Sequence, residues 1–266
     1  TFQAQANNQL PDIGTAGVAA LPIEQEVRYG NAFMRFARAG LPIIDDPVLS
    51  QYIDDLGQRL LTNADGVRFP FTFFLINDPS INAAAFLGGR VKVHTGLFLY
   101  ADNESELASV LAHEITHVTQ RHIARYMEAQ ASSSAMTLAG LVGSIALAVI
   151  NPTAGIAALQ TTLGLSMQSA INYTRDNEYE ADRIGMKTLY DAGFDPMGMA
   201  SFFQKLAAEY RYASKPPEML LTHPLPETRI SEARARAGSY GRRALPPSLD
   251  FWLAKVRIQV RYGTES

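Results

Sequence analysis

The 266-residue chain contains no cysteine, which excludes thiolate metal sites and disulfides but leaves the compartment open. Charge is also scarce: 18% of residues are charged, the formal net charge is -3, and no basic run occurs, so nucleic acid is not expected as a partner. The chain starts at Thr1 without a basic-plus-apolar leader, and the expectation is a processed or trimmed N-terminus. Between Ala129 and Thr174 there is neither a charged residue nor a histidine. A membrane-crossing helix needs about 20 apolar residues. Asn151-Pro152 interrupts this stretch sooner, so spanning is not expected. Three readings remain for it: a helical hairpin buried on the core, a lid over a nearby cleft, or a patch touching a membrane or an unfolded client.

What the chain does have is a compact chemical motif. Residues 113 to 117 read His-Glu-Ile-Thr-His. On a helix, positions four apart share a face, so His113 and His117 can bind one ion while Glu114 lies beside the position left for water. The surroundings are helical in pattern. Asn103-Glu104-Ser105-Glu106 has the form of a capping box, and no Gly or Pro follows through about Gln130. Leu107, Val110, Leu111, Ile115 and Val118 recur at helical spacing and are expected to bury one side.

Catalytic zinc sites normally take three protein ligands. A third histidine ten positions after the first is excluded, because position 123 is Ile. A carboxylate from a later helix is the alternative, and Asn177 to Asp182 read Asn-Glu-Tyr-Glu-Ala-Asp. Glu178 and Asp182 lie one turn apart. One can ligate while the other accepts the ring N–H of a ligating histidine. Glu180 points to another side of that helix and reads as a solvated charge. His223, in a loop stiffened by Pro224 and Pro226, reads equally as a surface residue or a site residue, with Arg229 six positions on. His122 is about 140° round a continuous helix from His117 and is not expected to reach the same ion. His94 ends Gly88–His94, whose alternation suggests a strand exposed on one face and able to pair with an extended peptide.

With HEITH, NEYEADRIG, LTHPLPETRI and the long stretch from FFLINDPSINAAAFLGG onward, the chain resembles the M48 peptidases from about residue 10 to 260. The resemblance implies an α+β, mainly helical gluzincin-type domain with a small sheet beside the HExxH helix. It implies one zinc ion per chain on His113, His117 and Glu178, with Glu114 as general base. Asp182 matches a position the family treats as a proton donor, while its spacing favours a supporting role. His223 and Arg229 match positions near the family's active sites, as helpers of the oxyanion or, for His223, as a latch on the metal's fourth position. Within the family the resemblance is to a periplasmic branch acting on unfolded or stalled outer-membrane proteins together with their assembly machinery. A chaperone or docking module with marginal proteolysis is the competing expectation.

The expected organisation is an extended arm over residues 1–20, a protease domain over 21–245, and the start of a helical, tetratricopeptide-like region over 246–266. Helices are expected at 22–39 and 47–63, the second with Asp46 as N-cap and Pro47 as its first residue. Strands are expected near 71–77 and 88–94, and a helix from about Asn177 to Gly193.

Overall fold

Asp46 shows how local sequence becomes architecture here. It caps α2 (Pro47–Leu61) by accepting from the backbone N–H of Val48 and Leu49, and Pro47 supplies the first helical residue, as the sequence predicts. The computed structural model describes residues 21–129, 167–212 and 217–263, with parts of 140–158. The expected arm at 1–20 lies outside them.

Ahead of α2 runs α1 (Ile23–Gly40), and after it comes a three-stranded sheet of β1 (Thr72–Ile76), β2 (Ala83–Phe86) and β3 (Arg90–His94). The order is β1-β3-β2, with β1 parallel and β2 antiparallel to β3. Gly88 and Gly89, both at positive φ (70° and 72°), make the turn from β2 to β3. The remaining elements are α3 (Thr95–Tyr100), α4 (Glu104–Thr119), α5 (His122–Ala129), α6 (Met167–Asp191), α7 (Met197–Tyr212), α8 (Glu218–Thr222), α9 (Glu227–Tyr240) and α10 (Leu249–Tyr262). Helices therefore dominate a small sheet, the class expected.

Three sequence expectations are corrected. The first concerns β2, which the sequence reading overlooked. Because β3 has a partner on each side, it cannot add a peptide strand; β2 is an edge, and the other edge, β1, is partly paired with Pro42–Ile44. Second, His94 is buried rather than exposed: Ser80 Oγ lies 2.8 Å from its Nδ1, and burial lowers its pKa to about 4. Third, α4 is buried nearly all round, because α2, α6, α7 and β2 enclose it. It also ends early: Arg121 takes a left-handed φ of 54° and breaks the run between α4 and α5. A buried Glu26–Arg121 pair, reinforced by the Leu21 carbonyl, fastens α1 to this break.

Close approach of α6 to α4 depends on Gly185. A Cβ there would meet the Ala112 carbonyl oxygen and the His113 nitrogen, each at 3.1 Å. A larger residue would push the acidic face of α6 away from the histidines. Among residues 129–174, Val142, Ala146 and Ile150 pack against the core cluster built from α1, the sheet and α5. The rest of that stretch is largely outside the described residues. No helix among the described residues is long and apolar enough to cross a membrane.

α10 buries Phe251, Ala254 and Ile258 while Leu249, Trp252, Leu253, Val256 and Val260 stay exposed. Asp46 holds the helix in place, accepting from Arg257 Nε at 2.8 Å and Arg261 Nη1 at 2.9 Å. Replacing Asp46 by Ala removes the α2 cap and this anchor together. The expected loss is about 1–2 kcal/mol, read as a lower midpoint in urea denaturation followed by circular dichroism.

Candidate metal centre

Two helices supply the centre. α4 presents His113 and His117 on one face, and α6, held close through Gly185, presents Glu178 and Asp182. His113 Nε2 lies 3.0 Å from His117 Nε2 and 3.3 Å from Glu178 Oε2, and His117 Nε2 lies 3.2 Å from Glu178 Oε1. The loop between α8 and α9 adds His223, whose Nδ1 is 3.1 Å from Glu178 Oε1 and 3.3 Å from His113 Nε2. One donor atom from each of His113, His117, Glu178 and His223 falls within 4.8 Å of all the others. Two imidazoles, a carboxylate and a third imidazole form a borderline donor set suited to zinc among the divalent ions.

The electrostatics test whether this set fits a cation. Burial works against a charged His113, yet Glu178 and Asp182 raise its pKa to about 10, so the cluster draws positive charge to the nitrogen facing the other donors. Burial lowers His117 to about 4, leaving a neutral ring with a lone pair. Against its burial, Glu178 is held well below the usual carboxylate range by His223, Arg229 and the two helix histidines. The residues therefore fit a bound metal ion.

Asp182 and Arg229 stand directly behind this donor set. Asp182 Oδ1 is 3.0 Å from His113 Nδ1. Arg229 donates to both Asp182 oxygens at 2.7 and 2.8 Å and to the Pro224 carbonyl at 2.6 Å, and its Nη1 forms an ion pair with Glu178 Oε2 at 2.8 Å. With its side chain 2% exposed, Arg229 braces the two carboxylates and the His223 loop.

Glu114 is 1% exposed. Its Oε2 accepts the N–H of Ala85 on the edge strand β2 at 2.8 Å. Its Oε1 has no hydrogen-bond partner and sits 3.4 Å from His223 Nε2. Burial raises the Glu114 pKa, which favours a carboxylate able to take up a proton.

Sequence reasoning missed two members of this neighbourhood. His122 does not join the four donors, as predicted, but its Nδ1 touches His117 Nδ1 at 2.8 Å. Glu180, read as a solvated charge, is half-buried and meets His122 Nε2 at 3.2 Å and Arg125 Nη1 at 2.7 Å. The histidine spacing gave the wrong impression because it presumed an unbroken helix. The only usable signal was that a third histidine and a third acid lay close to the two motifs.

Comparison with known proteins gives consistent results. The pattern of peptidase family M48 matches residues 47–237. A putative beta-barrel assembly-enhancing protease of Vibrio cholerae is 59% identical over 255 residues, covering 96% of this chain and 53% of that protein. The beta-barrel assembly-enhancing protease of Escherichia coli is 51% identical over 261 residues, covering 98% of this chain and 54% of that protein. Metalloprotease LoiP of Escherichia coli is 28% identical over 208 residues, covering 73% of this chain and 74% of that protein. The chain thus spans about half the length of the two more similar relatives.

Proposed function

Since the chain belongs to peptidase family M48, whose members are metallopeptidases, we propose that it is the catalytic part of a periplasmic zinc endopeptidase acting on unfolded or stalled outer-membrane proteins. One observation carries the reading: four donors, His113 and Glu178 buried and His117 half-buried, with His223 among them, converge beside the unpartnered oxygen of Glu114. When bound, zinc supplies Lewis acidity, lowering the pKa of water toward about 7 and polarising the scissile carbonyl.

The chain's own groups do the rest. His113, His117 and Glu178 would hold the ion, and Asp182 would fix the His113 tautomer through its Nδ1–H. Glu114 takes the proton from the attacking water at Oε1 and returns it to the leaving amine. β2, an edge strand of the sheet, offers backbone groups to an extended peptide, and Ala85 joins that edge to the base. Backbone pairing reads little side-chain identity, which suits varied unfolded substrates.

The envelope setting and the outer-membrane clients rest on similarity to proteins named for beta-barrel assembly. The assembly machinery is the proposed partner, with peripheral membrane contact through 129–174. A helical region from residue 246 belongs to the same proposal, supported by the exposed apolar stripe of α10. The position of the His223 ring among the donors favours a second reading, in which a resting, weakly proteolytic protein acts mainly as a docking or chaperone module.

Purified protein is expected to contain one zinc per chain by elemental mass spectrometry. Removing it with a chelator should abolish cleavage of an unfolded polypeptide, and added zinc should restore it. Glu178→Ala should lose both metal and cleavage. Full activity in chelator would refute the metallopeptidase reading.

A further inference from the structure

The far side of His117 carries an arrangement that the four-donor centre does not explain. His117 Nδ1 and His122 Nδ1 lie 2.8 Å apart, so one of them must donate and the other accept. The direction is set one residue further out. His122 Nε2 faces Glu180 Oε2 at 3.2 Å, and a carboxylate only accepts, so the His122 proton sits on Nε2. Arg125, at 2.7 Å, already neutralises Glu180. A second cation at His122, which is 4% exposed, would lack a counter-ion of its own. His122 is therefore neutral and offers a lone pair at Nδ1. His117 must then donate from its Nδ1, which leaves its Nε2 lone pair facing Glu178 and His113.

We infer that His122, backed by Glu180 and Arg125, is a positioning residue that fixes the tautomer and ring orientation of His117 as a metal ligand. This rests on the metal reading above. It makes the two helix histidines equivalent in design: His113 is set directly by Asp182, braced by Arg229, and His117 is set through His122 by Glu180, braced by Arg125. Both carboxylates come from α6, two positions apart. Reaching both sides requires a break in the histidine helix. In a continuous helix His122 would point about 140° away from His117, and the left-handed turn at Arg121 swings α5 back so the two rings meet.

The test uses zinc itself and two readouts besides activity. Long-range proton–nitrogen correlation spectra of the zinc-loaded wild-type protein should show His117 protonated at Nδ1 and bound through Nε2, with His122 protonated at Nε2. Chelator competition should show a roughly 10- to 100-fold loss of zinc affinity in His122→Ala. His122→Asn, whose Oδ1 can accept the His117 proton, should recover most of that affinity. A purely packing role would give neither the tautomer nor the selective recovery. His117 protonated at Nε2, or His122→Ala with affinity within about twofold of wild type, would overturn the inference while leaving the metal centre intact. A wild-type protein that binds no zinc would overturn both, and the wild-type spectra need no variant to fold.

Discussion

Glu114→Gln should reduce cleavage of an unfolded polypeptide by about 10³-fold or more, within the range a general base contributes, while zinc content stays at one per chain. The substitution is nearly isosteric. A glutamine carbonyl oxygen still accepts the Ala85 N–H, so the link between α4 and the edge strand survives. What disappears is the basic oxygen, the one that lacks a partner in the structure. The donors are untouched, because Glu114 points between them and β2 and does not enter the cluster. Cleavage rate and metal content, measured on the same sample, separate loss of the base from loss of the ion. Retention of cleavage within tenfold of wild type would remove Glu114 from the mechanism. Complementation of outer-membrane assembly in cells by the same variant would support the docking reading over the proteolytic one.

The parts of this fold legible in the sequence are those whose cause is local. Asp46-Pro47 announces α2 because capping is decided within four residues, and HExxH announces its helix face because i and i+4 always coincide. Glu178 and Asp182 could be found for the same reason. β2 was not legible, since Ala83-Ala84-Ala85-Phe86 has weak strand propensity and becomes a strand only by pairing with β3. The break at Arg121 is likewise tertiary. Nothing in Thr119-Gln120-Arg121 signals a left-handed residue, and it is the buried pairing with Glu26, 95 positions away, that accompanies it. The roles of His122 and Glu180 follow from that break, so they were hidden with it. Arg229 could be placed near the site by its loop, but its brace on two carboxylates required coordinates.

His223→Ala should raise cleavage, and the sign of the change discriminates between the roles open to this residue. If His223 donated to an oxyanion, its loss would lower the rate by about 10²–10³. The geometry favours the opposite outcome. Its Nδ1 stands 3.1 Å from Glu178 Oε1 within the donor cluster, where it would compete for the position that water must occupy on a bound ion. The short helix that precedes it is clasped to the loop leading into the edge strand: Glu218 accepts from Ser80 Oγ at 3.3 Å and Asn82 Nδ2 at 3.2 Å, and Met219 N–H donates to the Ile81 carbonyl at 3.3 Å. The same segment would therefore close the metal's fourth position, and it leans on the approach to β2. A centre open about one-tenth of the time would gain roughly tenfold when the ring is removed. Glu218→Ala should give a smaller gain, because it loosens the clasp and leaves the ring in place. Combining either change with Glu114→Gln should still leave cleavage about 10²-fold or more below wild type, since an open site without its base has nothing to accept the proton. A rate for His223→Ala below wild type, with zinc content unchanged, would assign the residue to catalysis and rule out the latch.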